Sequence, residues 1–107
     1  MEIILKKDGV TALADTHGAE LHSYLLATGR EVLWGGSAES WKGRSPVLFP
    51  IVGTLAKNQT TIGGKCYSMK SHGFARNLEF EVAQQTESSV TFVLRADNET
   101  RAQYPFE

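Results

Sequence analysis

The residues best suited to chemistry gather in one short run, Ser71-His72-Gly73-Phe74-Ala75-Arg76. An imidazole donates, accepts or transfers a proton near neutral pH. A guanidinium is a fixed cation with five N–H donors. Gly73 lets the backbone turn sharply or approach another segment closely. Phe74 is an apolar ring set between polar neighbours. A His, a ring and an Arg within five residues can line a polar pocket with one apolar wall. Polyhydroxylated ligands such as sugars are held in this way, by hydrogen bonds to the hydroxyls and packing on the CH face. The same residues also fit a purely structural role, with the His bonded inside a turn and Arg76 paired with a carboxylate such as Glu79. Residue chemistry leaves both open.

The other reactive side chains carry weaker signals. His17 and His22 are five apart, which does not match the i, i+4 spacing of a helical zinc pair, and no third ligand follows at a telling distance. They read as two partly exposed histidines, and no metal site is expected. Cys66 lies in an apparent hairpin strand with only Lys65 as a nearby cation. A nucleophilic thiol needs a lowered pKa and a base, so Cys66 reads as a buried or half-buried structural residue. No G-x-S-x-G elbow, Walker loop or G-x-G-x-x-G occurs, and no cofactor is implied. Trp34 and Trp41 could stack on a sugar, but core or edge packing is the commoner use of such rings.

Bulk properties narrow the classes. The 107 residues are 41% hydrophobic and 21% charged, which is globular rather than disordered composition. Eleven basic residues against twelve acidic ones give a net charge of −1 without a basic cluster, so a nucleic-acid partner is not expected. Lys6-Lys7 reads as an exposed strand end. A single cysteine excludes an intrachain disulfide. No apolar run approaches the ~20 residues of a membrane span, and no apolar leader follows Met1. A cytoplasmic protein with no membrane partner is the expectation. The Asn-x-Thr triplets at Asn58 and Asn98 are then chance matches to a glycosylation pattern.

The elements that must position these residues are strands and turns. Met1–Lys7, the turn Asp8-Gly9 and Val10–Ala14 predict a hairpin. Gly18–Leu26 predicts a short strand between glycines, and Glu31–Trp34 another, ended by Gly35-Gly36. Ser37 would cap one helical turn at Ala38–Trp41. Arg44–Leu55 is nearly all apolar between Pro46 and Pro50, so it predicts a buried, extended loop rather than a ladder strand. Thr60–Ile62, Gly63-Gly64 and Lys65–Ser68 predict a second hairpin. Leu78, Phe80 and Val82 alternate with Glu79 and Glu81, and Val90, Phe92 and Leu94 alternate likewise, as in half-buried strands. At least six short strands without a helix of ten residues argue for an all-β sandwich. Tyr104-Pro105-Phe106 looks like the opening of a further strand, which points to a truncated chain.

Several segments together resemble the aldose 1-epimerase (galactose mutarotase-like) family. These are Gly18-Ala19-Glu20-Leu21 with Ser23 and Tyr24, Glu31-Val32-Leu33-Trp34, and Trp41. Ser45-Pro46-Val47-Leu48-Phe49-Pro50-Ile51-Val52-Gly53 is similar to that family's proline-containing core segment. His72-Gly73-Phe74-Ala75-Arg76 is similar to its HGFAR motif, and Thr100 with Tyr104-Pro105-Phe106 to its T-x3-YPF stretch. The LacX-like branch looks closest.

The resemblance implies the family's antiparallel β-sandwich, a supersandwich of which residues 1–107 would form the N-terminal part, a little more than the first third. It also implies mutarotation, the interconversion of α and β anomers of an aldose. A base takes the anomeric hydroxyl proton while an acid protonates the ring oxygen, and the ring opens and recloses. The family's acid histidine and base glutamate would lie beyond Glu107, so no catalytic residue is assigned here. His72, Arg76, Phe74, Lys57 and Asn58 are the implied substrate-binding residues. The family's Asn-Arg pair after the core glycine is absent, since this sequence reads Gly53-Thr54-Leu55-Ala56-Lys57-Asn58. The implied partner is a small sugar, a hexose or hexose phosphate. A non-catalytic carbohydrate-binding protein or interaction module is the alternative, and exposed strand edges would offer a route to self-association.

Overall fold

The computed structural model describes residues 1–33, 35 and 43–107. Trp34, the glycine pair's second member and the turn expected at Ala38–Trp41 lie outside the described residues.

Among the described residues, seven strands form three antiparallel sheets. β1 (Glu2–Lys7), β2 (Val10–Asp15) and β3 (Glu20–Leu25) make the largest. Asp8 and Gly9 connect β1 to β2 with φ of 52° and 81°, the two positive values that a type I′ turn requires. That turn fixes the register Lys7↔Val10 through Glu2↔Asp15. The register places Ile3 opposite Ala14, and both are buried. Between β2 and β3 the pairing slips after Leu13↔Ser23 to Ala14↔Leu21, so His22 is the extra residue of a bulge. β4 (Gln59–Ile62) and β5 (Lys65–Ser68) form the second hairpin around Gly63-Gly64, and β6 (Glu81–Gln85) pairs with β7 (Val90–Val93). Lys6-Lys7 is the exposed end of β1.

Backbone hydrogen bonds stitch the hairpins together. The Lys6 N–H donates to the Glu87 carbonyl at 2.8 Å, the Phe80 N–H to Thr16 at 2.9 Å and the Gly18 N–H to Leu78 at 2.7 Å. An isolated antiparallel bridge, His17↔Glu79, lies between the last two. The corner Thr16–Gly18 is thereby laid against the segment that follows Arg76. A Cβ at Gly18 would sit 2.6 Å from the Arg76 carbonyl oxygen, so no side chain fits there.

Several expectations are corrected. Arg44–Leu55 is extended as expected, with a cis Phe49-Pro50 bond, but it is not buried: Phe49 is 49% exposed and Val52 77%. Leu48 and Ile51 are half-buried, so the loop is covered only in part. Cys66 is exposed, because strand alternation turns the neighbouring Tyr67 inward. Leu78–Phe80 precede the ladder rather than belonging to it, since β6 begins at Glu81. One element was not expected. Thr100 lies in a short helix, α1 (Asn98–Gln103), and Tyr104 caps its end. Asp97 starts this helix: its Oδ1 accepts from the Thr100 N–H at 2.8 Å, while the Thr100 Oγ1 accepts from the Asp97 N–H at 2.8 Å. This is a reciprocal capping box with threonine in the place usual for Glu or Gln. Glu31 makes only an isolated bridge to Leu25 where a strand was expected.

The core is thin. Ile3, Ala14, Tyr67, Met69, Phe74 and Ala75 are buried, with Thr16 and Thr100 as buried polar residues. Among the described residues no large side chain is completely buried.

Candidate functional site

The His72–Arg76 segment is held on the proline loop. Phe49 and Gly73 form a parallel bridge, and the Phe49 carbonyl accepts N–H bonds from Phe74 at 3.0 Å and Ala75 at 3.2 Å. The chain then makes one 3₁₀ turn at Ala75–Asn77. Gly73 has φ 72°, and a Cβ there would overlap the Phe49 carbonyl. Only glycine lets these two backbones meet.

His72 is half-buried and has φ 63°, a left-handed conformation that non-glycine residues seldom adopt. It is clasped to Gly53 twice. The His72 N–H donates to the Gly53 carbonyl at 2.8 Å, and the Gly53 N–H donates to His72 Nδ1 at 2.9 Å. The next pair outward, Thr54 and Ser71, is joined between hydroxyl oxygens at 2.6 Å. Arg76 Nη2 donates to the Ser71 carbonyl at 3.2 Å. Arg76 is thereby tied to the residue that precedes His72, while His72 itself is held by Gly53. Among the described residues no carboxylate hydrogen-bonds to either. The Glu79 partner considered for Arg76 is engaged elsewhere: its carboxylate meets Thr16 Oγ1 at 2.8 Å and His17 Nδ1 at 3.1 Å.

Phe74 is buried and packs edge-on against Phe49, with ring centroids 6.5 Å apart; Phe49 in turn meets Tyr104 at 6.1 Å. Phe74 and Asn58 line one cavity of about 390 Å³ together with Lys70 and Asn77. His72, Arg76 and Lys57 are not among its lining residues. Lys57 and Asn58 are exposed, with φ of 55° and 56°, and the Asn58 carbonyl accepts from the Met69 N–H at 2.9 Å. Of the five residues singled out, the geometry joins His72 to Arg76 through Ser71 and Asn58 to Phe74 through the cavity. It does not join Lys57 to either.

The remaining histidines sit apart from this turn. His22 Nε2 is 3.0 Å from a Glu20 carboxylate oxygen, and His22 Nδ1 is 3.9 Å from Asp15. The side chains of Arg44 and Ser45 donate to the His22 and Leu21 carbonyls at 3.1 and 2.5 Å, so this group fastens the loop to β3. The His17 backbone N–H holds the Asp15 carboxyl below the usual carboxylate range, with help from the Met1 ammonium and His22 and against the effect of burial. The Ser23 hydroxyl does the same for Glu31, followed by the Tyr24 and Leu33 N–H groups and Arg44. Among the described residues no three His, Cys, Asp or Glu side chains are placed to hold a metal ion, and no helix is long and apolar enough to cross a membrane.

The aldose 1-epimerase family profile matches residues 1–107. The chain belongs to the aldose 1-epimerase family. Protein LacX of Lactococcus lactis subsp. lactis is 32% identical to it across the whole chain, which covers 38% of that relative. A galactose mutarotase related enzyme from Lactobacillus acidophilus is 42% identical and superposes with a TM-score of 0.95 over 99% of this chain and 36% of its own. A galactose mutarotase-like protein from Lactobacillus casei is 34% identical, with a TM-score of 0.94 over the same shares. This member of the aldose 1-epimerase family thus spans a little over a third of the length of the relatives it matches, and its all-β backbone is theirs over that span.

Sequence reading found His72 and Arg76 but not what holds them. Gly53, Thr54 and Ser71 carried no chemical signal of their own. Their importance follows from the antiparallel approach of two loops, which no local pattern records.

Proposed function

We propose that this chain forms the sugar-binding side of an aldose 1-epimerase-like site. His72 and Arg76 hydrogen-bond the sugar, and Phe74 supplies an apolar wall beside Asn58. The observation that carries this reading is the fixing of His72 by Gly53 and of Arg76 by Ser71, with no carboxylate partner among the described residues. Two donors without a local base can hold a sugar but cannot both open and close its ring. In a chain of the relatives' length, the acid and base would come from elsewhere in a mutarotase-like domain of which residues 1–107 are one part. A hexose or hexose phosphate in the cytoplasm is the partner this reading favours.

Titration with galactose and glucose followed by NMR tests it. Saturable binding is expected, weakened about tenfold by His72→Ala or by Arg76→Ala, the scale of one lost charge-assisted hydrogen bond. Unchanged binding in both variants removes these residues from the site. Anomer-exchange spectra of the chain alone should show no rate above buffer, and a clear rate would overturn the separation of binding from catalysis.

A further inference from the structure

We propose that Thr54 and Ser71 are positioning residues for His72 and that, with the Gly53 amide, they fix the imidazole as a donor through Nε2. That this donor meets a sugar rests on the reading above; that His72 is a donor does not.

A ring nitrogen that accepts a hydrogen bond carries no proton. The Gly53 N–H points at Nδ1 from 2.9 Å, so the neutral ring keeps its proton on Nε2. Among the described residues, Nε2 has no protein partner and remains available to a ligand. The contact depends on residues 53 and 72 staying in register. Their backbone bond gives one point of attachment, and one point leaves the loops free to pivot. The Thr54–Ser71 hydroxyl bond at 2.6 Å is the second point, one residue further along the same antiparallel approach. Residue 72 also needs such a constraint because its φ of 63° is costly for a side chain with a Cβ. Ser71 has a further role, since its carbonyl orients Arg76 at 3.2 Å. His72 Nε2 and the Arg76 guanidinium are donors, so a ligand that meets them must bring an acceptor oxygen: a ring oxygen, a hydroxyl or an anionic oxygen.

The test uses the ¹⁵N shifts of the His72 ring at about pH 8, above the ordinary imidazole range, read beside galactose titrations of the same samples. The wild-type chain should show a bare Nδ1 and a protonated Nε2. Thr54→Val and Ser71→Ala should mix the two tautomers and weaken galactose binding about threefold to tenfold, and Thr54→Ser should restore both readouts. Thr54 is exposed, so its substitutions leave the core untouched. An unmixed tautomer in both Thr54→Val and Ser71→Ala overturns the positioning role, even where galactose still binds. Mixed tautomers with no galactose binding by the wild type uphold positioning and overturn the sugar reading alone.

Discussion

Gly73 and Gly64 both hold positive φ, 72° and 81°, yet they differ in surroundings. Nothing lies within 4 Å of a Cβ added at Gly64, whereas one at Gly73 runs into the Phe49 carbonyl. Gly64→Ala should therefore cost only the conformational penalty, about 1 kcal/mol. Gly73→Ala adds a backbone clash and the loss of the two N–H bonds that Phe49 accepts, so about 3 kcal/mol or more is expected. Urea denaturation of the two variants checks this, and equal losses would mean that the loop yields freely. Asp15 gives a prediction in pH. Its folded-state carboxyl lies below the ordinary value near 4. Its contribution to stability is complete above that ordinary value and disappears as pH falls through the depressed one. Asp15→Asn should lower the urea midpoint at pH 7, and the gap to wild type should narrow as pH falls through the depressed value. At this scale the sequence shows which side chains are candidates for chemistry. His72 and Arg76 stand out by type and spacing. Their partners do not, because a backbone amide or a serine carbonyl looks the same in every sequence. Cys66 misled for a related reason: cysteine is buried on average, but here the bulkier Tyr67 took the inward position of the strand.

The hairpins were the most legible elements. Asp8-Gly9 and Gly63-Gly64 are local turn signals flanked by β-prone runs, and both produced the expected pairing. Helix α1 was not read, although Asp97-x-x-Thr100 is a capping pattern, because only six residues follow it and no apolar stripe repeats. So short a helix depends on its cap and on the buried Thr100. Asp97→Ala should cost about 1 kcal/mol, visible as a lower urea midpoint, and Asp97→Ser should recover most of it. Full stability in Asp97→Ala would assign the helix to its packing instead. The proline loop was read half correctly. Pro46 and Pro50 do keep it out of the sheets, as missing N–H donors dictate. Its apolar content was taken as evidence of burial, but Val47, Phe49 and Val52 are exposed while Leu48 and Ile51 are only half-buried.

At the scale of the whole molecule, the all-β class was plain from turn spacing and strand patterning, whereas the openness of the arrangement was not. The radius of gyration is 16.5 Å, against about 13 Å for a compact domain of this length. Ile4, Phe49, Val52 and Phe106 are each about half exposed or more. Apolar surface of this kind favours association. The apparent mass in sedimentation equilibrium should rise with concentration, and a Val52→Ser, Phe106→Ser double variant should reduce that rise. A constant monomer mass up to high concentration would count against it.

The principal extents, 54 × 34 × 17 Å, describe a plate. In a plate this thin the shielded part of the described residues is small, so few of their amides depend on global unfolding to meet water. Amide exchange should then lack a slowest class shared by all three sheets. Each hairpin would open on its own, and protection would follow the hairpins one by one rather than marking a single cooperative interior.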